Sequence, residues 1–288
     1  MKKLISCFLV LCLIASSAVP VLAADDSRVV LGADLNDEQI RTVYQLFGIE
    51  RGSVEELTVT NAEERAFLEG LVEEKVIGRY AISCVYVKRL EEGAGLSVDT
   101  YNISWCTTEM YQNALVTAGV KDAQIIVAAP FEVSGTAALT GIYKAYEQIT
   151  GNTLDDEAKN VGTQELTITG KLAEQIGDLD ATRIVSGLKD LLGDTAGMSD
   201  EELRESIVSV AGKFGVTLSD SQIRQLIELC RSLEKLDPSA LKERVEDAKE
   251  TIRRVEEARD KAAGFYAKFK AFLAAASEFL EKIKGMFG

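Results

Sequence analysis

The chain has 288 residues, of which 46 are acidic and 32 basic, so its formal net charge at pH 7 is −14. This acidic balance argues against nucleic acid as a partner, because nucleic-acid binding needs a basic surface. Histidine is absent from the sequence, which excludes Ser-His-Asp and Cys-His catalysis and every His-ligated metal site.

The first segment, residues 1–23, predicts a signal peptide. Lys2 and Lys3 supply a positive start, Leu4–Val19 is apolar, and Val21–Ala23 matches a small-residue cleavage site. The apolar stretch is short for a membrane span. We therefore expect an exported protein that works outside the cytoplasm, either secreted or associated with the cell envelope.

The next elements are short. Val29–Leu31 predicts a strand, and Asn36 caps a helix that ends at Gly48. Glu55–Thr60 predicts a second strand, and Asn61 caps the helix that follows.

The segment from residue 79 to 151 predicts the core of the fold. Arg79–Leu90 and Leu96–Cys106 alternate in polarity, as strands do, and we expect them to form a hairpin across a glycine-containing loop. Thr107–Gly119 predicts a helix. Ala123–Phe131 is apolar on both faces, which is typical of an inner strand covered on both sides. A helix then begins near Ser134–Thr136.

Cys84 and Cys106 lie on the two arms of this predicted hairpin. Exported proteins can hold disulfides, so a bridge between these two residues is one interpretation. The other interpretation is that both, together with Cys230, are small buried thiols.

Beyond Gly151 the sequence predicts successive helices, with a short extended piece at Leu166–Thr169. From Leu241 apolar residues recur with 3-4 spacing, which indicates a long amphipathic helix of coiled-coil type. Its last part, residues 263–288, combines phenylalanines with lysines and glutamates. This tail can pack on the protein, self-associate, or bind a membrane surface, an envelope polymer or a protein partner.

Together these patterns predict an α+β protein with a small mixed sheet and packed helices. We expect a signal peptide at 1–23, a sheet domain at 25–150, a helical region at 151–237 and a long amphipathic helical tail at 238–288.

Few residues indicate chemistry. Ser186 and Lys189 match the Ser-x-x-Lys pair of penicillin-binding enzymes, but the accompanying Ser-Asp-Asn and Lys-Thr-Gly motifs do not occur. Ser134, Gly135 and Thr136 precede a helix and could offer N–H groups to an anion, but the lysine of a phosphate loop is absent, so helix capping is the favoured interpretation.

Aromatic residues around Trp105 and Tyr101 could stack on a sugar or a peptide if they reach the surface, and otherwise they are core residues. The candidate ligand-binding residues are therefore Trp105, Tyr101, Ser134, Gly135 and Thr136. No spacing indicates a metal site or a cofactor, and no catalytic residue is identified.

Three segments resemble a known family. They are Val29–Leu35, Ile103–Gly119 and Ala129–Gly141, and the last is the most specific. Over about Val29 to Asp237 the chain resembles domain of unknown function 1002, the YpuA-like exported proteins of Gram-positive bacteria. The resemblance implies export and a Gram-positive envelope, and it implies no activity, cofactor or catalytic residue.

The sequence therefore favours a non-enzymatic, envelope-associated binding or structural protein, since general acid–base chemistry most often uses histidine. The alternative is a cell-wall glycan hydrolase that uses carboxylates alone, because glycoside cleavage needs only two Asp or Glu side chains.

Overall fold

The computed structural model describes residues 26–250 and Arg253. The predicted signal peptide at 1–23 and the amphipathic segment 263–288 lie outside the described residues. In the described part of the chain, none of the helices combines the length and the apolar character that a membrane span needs.

The sheet has five strands in the spatial order β2-β1-β3-β5-β4. Its strands are β1 (Ser27–Gly32), β2 (Glu55–Val59), β3 (Cys84–Arg89), β4 (Leu96–Ile103) and β5 (Ala123–Val133). β1 runs parallel to β2, β4 runs parallel to β5, and β3 is antiparallel to both of its neighbours, β1 and β5. Four strands therefore share one direction, with an antiparallel strand between the two pairs.

The predicted hairpin of β3 and β4 is wrong, because β5 lies between them. Val127 of β5 is opposite Val85 of β3, and Ile125 is opposite Val98 of β4. β5 is apolar on both faces, so its most stable place is the interior of the sheet, where both edges are hydrogen-bonded and both faces covered. The prediction of an inner strand at Ala123–Phe131 is confirmed.

Ten helices are present among the described residues. They are α1 (Asp37–Phe47), α2 (Asn61–Leu68), α3 (Glu74–Ile77), α4 (Thr108–Ala118), α5 (Thr136–Thr150), α6 (Asp156–Ile176), α7 (Asp178–Lys189), α8 (Asp200–Lys213), α9 (Asp220–Leu233) and α10, which covers 238–250. A 3-10 turn at Thr195–Gly197 precedes α8.

The extended piece predicted at Leu166–Thr169 is wrong, since this segment lies inside α6. Its β-branched residues suit a strand when they are considered locally. In the structure the segment is buried, and the Thr169 hydroxyl donates to the carbonyl oxygen of Glu165, one turn earlier, at 2.7 Å. Tertiary packing thus overrides the local preference.

The two faces of the sheet carry different helices. α1 packs on one face through Val43, Tyr44 and Phe47, against strand residues that include Val29 and Tyr86. The opposite face is covered by α4 and α5, and α4 packs in turn on α6. One hydrophobic cluster runs from this face of the sheet into α6, α7, α8 and α9. The α+β class with a small mixed sheet and packed helices is confirmed.

The cysteines of the described residues are free and buried. Cys84 belongs to the cluster under α1, whereas Cys106 belongs to the cluster on the opposite face of the sheet. The bridge between Cys84 and Cys106 is therefore not formed, and the interpretation as buried thiols holds.

Candidate functional site

A crevice opens at one edge of the sheet, where β1, β2, β4 and β5 all end. Ligands of open sheets commonly bind outside the carboxyl ends of parallel strands. Here the antiparallel β3 begins at the same edge. The pair of β3 and β5 residues nearest to this edge is Cys84 and Ala128. Beyond that pair the two chain segments separate.

Hydrogen bonds hold the two sides of the crevice apart. Before β3, the Ala81 N–H donates to a carboxylate oxygen of Asp34 at 2.8 Å, and the Ala81 carbonyl accepts from the Asp34 N–H at 3.3 Å. At the end of β5, the Val133 carbonyl accepts from the Ser104 N–H at 2.9 Å. Segment 79–83 therefore stays with the β1 side, and segment 129–133 stays with the β4 side. We call the gap between them the carboxyl-end crevice; its volume is about 290 Å³.

The floor of the crevice is the start of α5 together with a carboxylate from α2. The Thr136 hydroxyl donates to Glu64 at 2.5 Å, and Asn61 Nδ2 donates to the other carboxylate oxygen at 3.1 Å. Ser134 Oγ lies 3.2 Å from Thr136 Oγ1. Glu64 is 1% exposed, so its hydrogen bonds offset part of the cost of burying it.

The start of α5 is capped from a distant segment, because Ser83 Oγ accepts from the Ala138 N–H at 3.0 Å. Residue Gly135 at the N-cap offers no side-chain hydrogen bond, and the first turn of α5 contains no acidic residue. The helix dipole favours a negative charge near this end, whereas the burial of Glu64 acts in the opposite direction. The prediction that Ser134 or Thr136 caps this helix is wrong, because the N-cap is Gly135 and neither hydroxyl accepts from a backbone N–H of α5. An external anion is disfavoured at the floor, because Glu64 lies there.

Burial raises the pKa of the Glu64 carboxyl above its ordinary value, and the hydrogen bonds from Thr136 and Asn61 oppose that shift. The raised pKa means that the site favours the protonated form more than water does.

The turn at Gly135 is locked by its surroundings. Gly135 has a φ of 96°, and its carbonyl accepts from the Tyr111 hydroxyl at 2.5 Å. A Cβ here would lie 2.5 Å from Ile103 Cγ2 and 2.6 Å from the Tyr111 oxygen. Only glycine fits this position without displacement, so the crevice floor is preformed.

The rim of the crevice carries two aromatic and two basic side chains. Tyr80 is 66% exposed and Phe131 is 50% exposed. Lys75 is paired with Glu73 at 3.0 Å. Arg79 is exposed and has neither an ion pair nor a hydrogen bond to any residue that the structure describes.

The predicted site residues do not all meet here. Ser134, Gly135 and Thr136 line the crevice, whereas Trp105 and Tyr101 do not. The Trp105 indole N–H donates to Glu174 at 2.9 Å.

Trp105 supports one wall of the crevice from behind. Its ring occupies space that Gly170 leaves open on α6, where a Cβ would lie 2.4 Å from the Trp105 ring. It packs against the cluster that contains Val76 and Ile77, and both of these line the crevice. Tyr101 stands apart on the edge strand β4 and is 43% exposed.

Sequence reasoning missed Glu64, Arg79, Tyr80 and Phe131. The sequence pattern predicts strands at Tyr80 and Phe131, and their position at the strand ends is the signal for a different role. Glu64 gave no local signal, since it is 72 residues from its partner Thr136.

A second cleft of about 220 Å³ lies where α10 meets the end of α4. Arg244 donates to the carbonyl of Thr117 at 3.3 Å, and its burial there lowers the pKa of the guanidinium. The cleft is acidic, with Glu92, Asp122, Glu243, Asp247 and Glu250 in its lining. Across residues 26–250 no group of three or more Asp, Glu or Cys side chains is placed to hold a metal ion.

Comparison with known proteins gives two matches. The family model described as "Protein of unknown function (DUF1002)" matches residues 31–251. The chain is 39% identical over 217 residues to the uncharacterized protein YpuA of Bacillus subtilis (strain 168), covering 75% of this chain and 74% of that protein. No solved structure matches significantly.

Proposed function

Since the chain belongs to the DUF1002 family, which is of unknown function, we propose from its geometry that it is an exported protein that binds a ligand at the cell envelope without chemical turnover. The carboxyl-end crevice is its binding surface. The observation that carries the proposal is the rim, where Tyr80 and Phe131 remain exposed beside a preformed polar floor. Clefts of this composition are typical of ligand-binding sites.

The composition of the crevice favours binding over hydrolysis. A glycoside hydrolase needs two carboxyl groups about 5–10 Å apart across the scissile bond. Glu64 is the one carboxylate in the crevice lining, and it is buried and engaged by Thr136 and Asn61. A binding protein needs no second carboxylate.

Export is supported by the sequence of residues 1–23. The test is fractionation of tagged protein in Bacillus subtilis, with the full chain compared to a variant that lacks residues 1–23. We expect the full chain in the envelope or the medium, and the shortened variant in the cytoplasm. Equal cytoplasmic retention of both would overturn the proposal.

Binding through the crevice is tested in the same cells. Replacing Tyr80 and Phe131 by serine should move the protein from the envelope fraction to the medium. Tyr101→Ser is the matched control, because Tyr101 is also exposed but does not line the crevice. Unchanged retention of the double variant would show that the crevice is not the binding surface.

The tail at 263–288 is proposed as a second contact, with an envelope polymer, a membrane surface, a protein partner or a second copy of the chain. Its combination of phenylalanines and lysines supports this proposal. Deleting residues 263–288 should release the protein into the medium or convert a self-associated species into a monomer, as fractionation and light scattering would show. A distribution and mass per particle identical to those of the full chain would contradict it.

A further inference from the structure

The rim of the carboxyl-end crevice presents two aromatic surfaces that the core does not use. Neither Tyr80 nor Phe131 is in a ring contact with another aromatic side chain of the described residues. Exposed aromatic rings bind either cations or flat apolar surfaces, such as the C–H faces of sugar rings. A cationic ligand is disfavoured here, because Arg79 and Lys75 share the rim.

The charge of the crevice indicates an anionic group on the ligand. Of the three charged side chains in the crevice lining, Glu64 is buried and hydrogen-bonded, and Lys75 is paired with Glu73. Arg79 is therefore the side chain that can pair with a charged group of a ligand. The second cleft, in contrast, has five carboxylates and two basic side chains in its lining. The carboxyl-end crevice is thus a basic spot on a chain of net charge −14, which suits a short ligand with an isolated negative charge better than a long polyanion.

A peptide added as a strand is disfavoured by the edge of β5. The Ala123 N–H faces β4, where it donates to the Gly95 carbonyl, and backbone groups alternate along a strand. Ala128 is the last residue of β5 that pairs with β3, so on this alternation Pro130 is the next residue on the open edge. Pro130 has no N–H to donate, and proline is a common means of blocking strand addition.

We propose that the carboxyl-end crevice binds a saccharide that carries a carboxylate or phosphate group, with sugar rings on Tyr80 and Phe131 and the anionic group on Arg79. Hydroxyl groups of the sugar would meet Ser134 at the floor. The inference rests on the proposed binding function and assigns the chemical class of its ligand.

The experiment is isothermal titration of the purified full-length chain with three probes. The first is an acidic tetrasaccharide of alternating N-acetylglucosamine and N-acetylmuramic acid. The second is neutral chitotetraose, which matches its ring number, and the third is tetraglutamate, which carries charge without sugar. We expect the acidic tetrasaccharide to bind about tenfold more tightly than chitotetraose, because one charge-assisted contact is added, and we expect no binding of tetraglutamate.

Two pairs of variants assign the contacts. Arg79→Gln should remove the preference for the acidic sugar while leaving chitotetraose binding unchanged, whereas Arg41→Gln, at an exposed arginine of α1, should have no effect. Tyr80→Ala with Phe131→Ala should weaken both sugars at least tenfold, and Tyr101→Ala should not.

The outcomes separate this inference from the proposed function. Equal affinity for the two sugars overturns the anionic class, and tetraglutamate binding equal to that of the acidic sugar overturns the saccharide. Binding of none of the three probes overturns the inference altogether. In each case, envelope retention that depends on Tyr80 and Phe131 would still support the crevice as a binding surface for another ligand.

Discussion

The Lys189 ammonium lies 3.0 Å from the Glu165 carboxylate, and both side chains are almost fully buried, at 2% and 0% exposure. The ammonium also donates to the Asn113 carbonyl at 2.9 Å and to Thr117 Oγ1 at 3.0 Å, so it has partners for its three protons. This pair joins α6 and α7 to the end of α4. Lys189 of the Ser-x-x-Lys match is therefore a structural residue, and Ser186 accepts a hydrogen bond from Asn113 Nδ2.

Breaking this pair from one side should be costly. Lys189→Met leaves the Glu165 carboxylate buried without its counter-ion, and we expect a loss of about 3–5 kcal/mol in the free energy of unfolding. Lys75→Met is the matched control, since its pair with Glu73 is exposed and should contribute less than about 1 kcal/mol. Denaturant titration followed by circular dichroism measures both.

A double variant tests the coupling directly. Lys189→Met combined with Glu165→Gln should be less destabilised than the sum of the two single changes, by about 1–3 kcal/mol, because neither then leaves an uncompensated charge. Strict additivity would show that the two groups do not stabilise each other.

The close contact between α4 and α6 depends on a glycine. A Cβ at Gly162 would lie 2.5 Å from the backbone carbonyl oxygen of Ala114, which cannot rotate away. Gly162→Ala should therefore destabilise the protein by about 1–3 kcal/mol through overpacking. Gly212 of α8 has nothing within 4 Å of its Cβ position, so Gly212→Ala should stabilise it by up to about 1 kcal/mol. Thermal unfolding measures the stability change in each variant, and a change of the same sign in the two variants would contradict the packing argument.

The sheet elements could be predicted because their signals are local. The β-branched and aromatic residues of Cys84–Arg89 and the two-sided apolar pattern of Ala123–Val133 are signals that depend on neighbouring residues alone. The order of the strands could not be predicted in the same way. The order depends on how the β4–α4–β5 crossover places β5 beside β3. Consecutive strands are usually neighbours, so a hairpin of β3 and β4 is the default expectation from the sequence.

The crevice was predictable only in part, for a related reason. Ser134, Gly135 and Thr136 have the composition of a strand-to-helix turn, which sequence reasoning finds. Glu64 completes the floor from a different helix, and Tyr80 becomes a rim residue only because segment 79–83 leaves β5 to follow β1. The residue type of Trp105 favours a ligand-binding role, but its surroundings depend on Gly170, which is far along the chain.

The buried thiols should be inert in the folded protein. Burial raises the pKa of Cys84, Cys106 and Cys230 to about 12, and the thiol form is a poor nucleophile. We expect iodoacetamide at pH 8 to modify these three residues only after unfolding, as mass spectrometry resolved at each cysteine would show. Modification of any of them in the folded protein within minutes would contradict their burial.

The same shifts predict a loss of stability in alkali. Because the folded-state pKa of these thiols is raised, their contribution is fully present below the ordinary value of 9.0 and is lost as the pH rises towards about 12. The free energy of unfolding should fall across this interval, and the fall should be smaller in Cys230→Ala. An equal fall in that variant would assign the effect to other groups.

Glu64 should respond to acid in the direction opposite to a capping carboxylate. Burial raises the folded-state pKa of Glu64, so the folded protein binds this proton more tightly than the unfolded chain does. Its contribution to stability is present below the ordinary value of 4.5 and is lost as the pH rises through the folded-state pKa. The free energy of unfolding of the wild type, relative to Glu64→Gln, should therefore increase as the pH is lowered from 7 towards 4.5.

Glu202 provides the matched control for this pH dependence. It accepts hydrogen bonds from the Ser199 backbone and hydroxyl at the start of α8, and these lower its pKa. The stability of the wild type relative to Glu202→Gln should fall as the pH drops below 4.5, because a lowered pKa gives a contribution that is lost on protonation. Denaturant titrations at several pH values between 3 and 7 measure both differences. Parallel pH profiles for the two variants would show that Glu64 is not held in an environment that favours its protonated form.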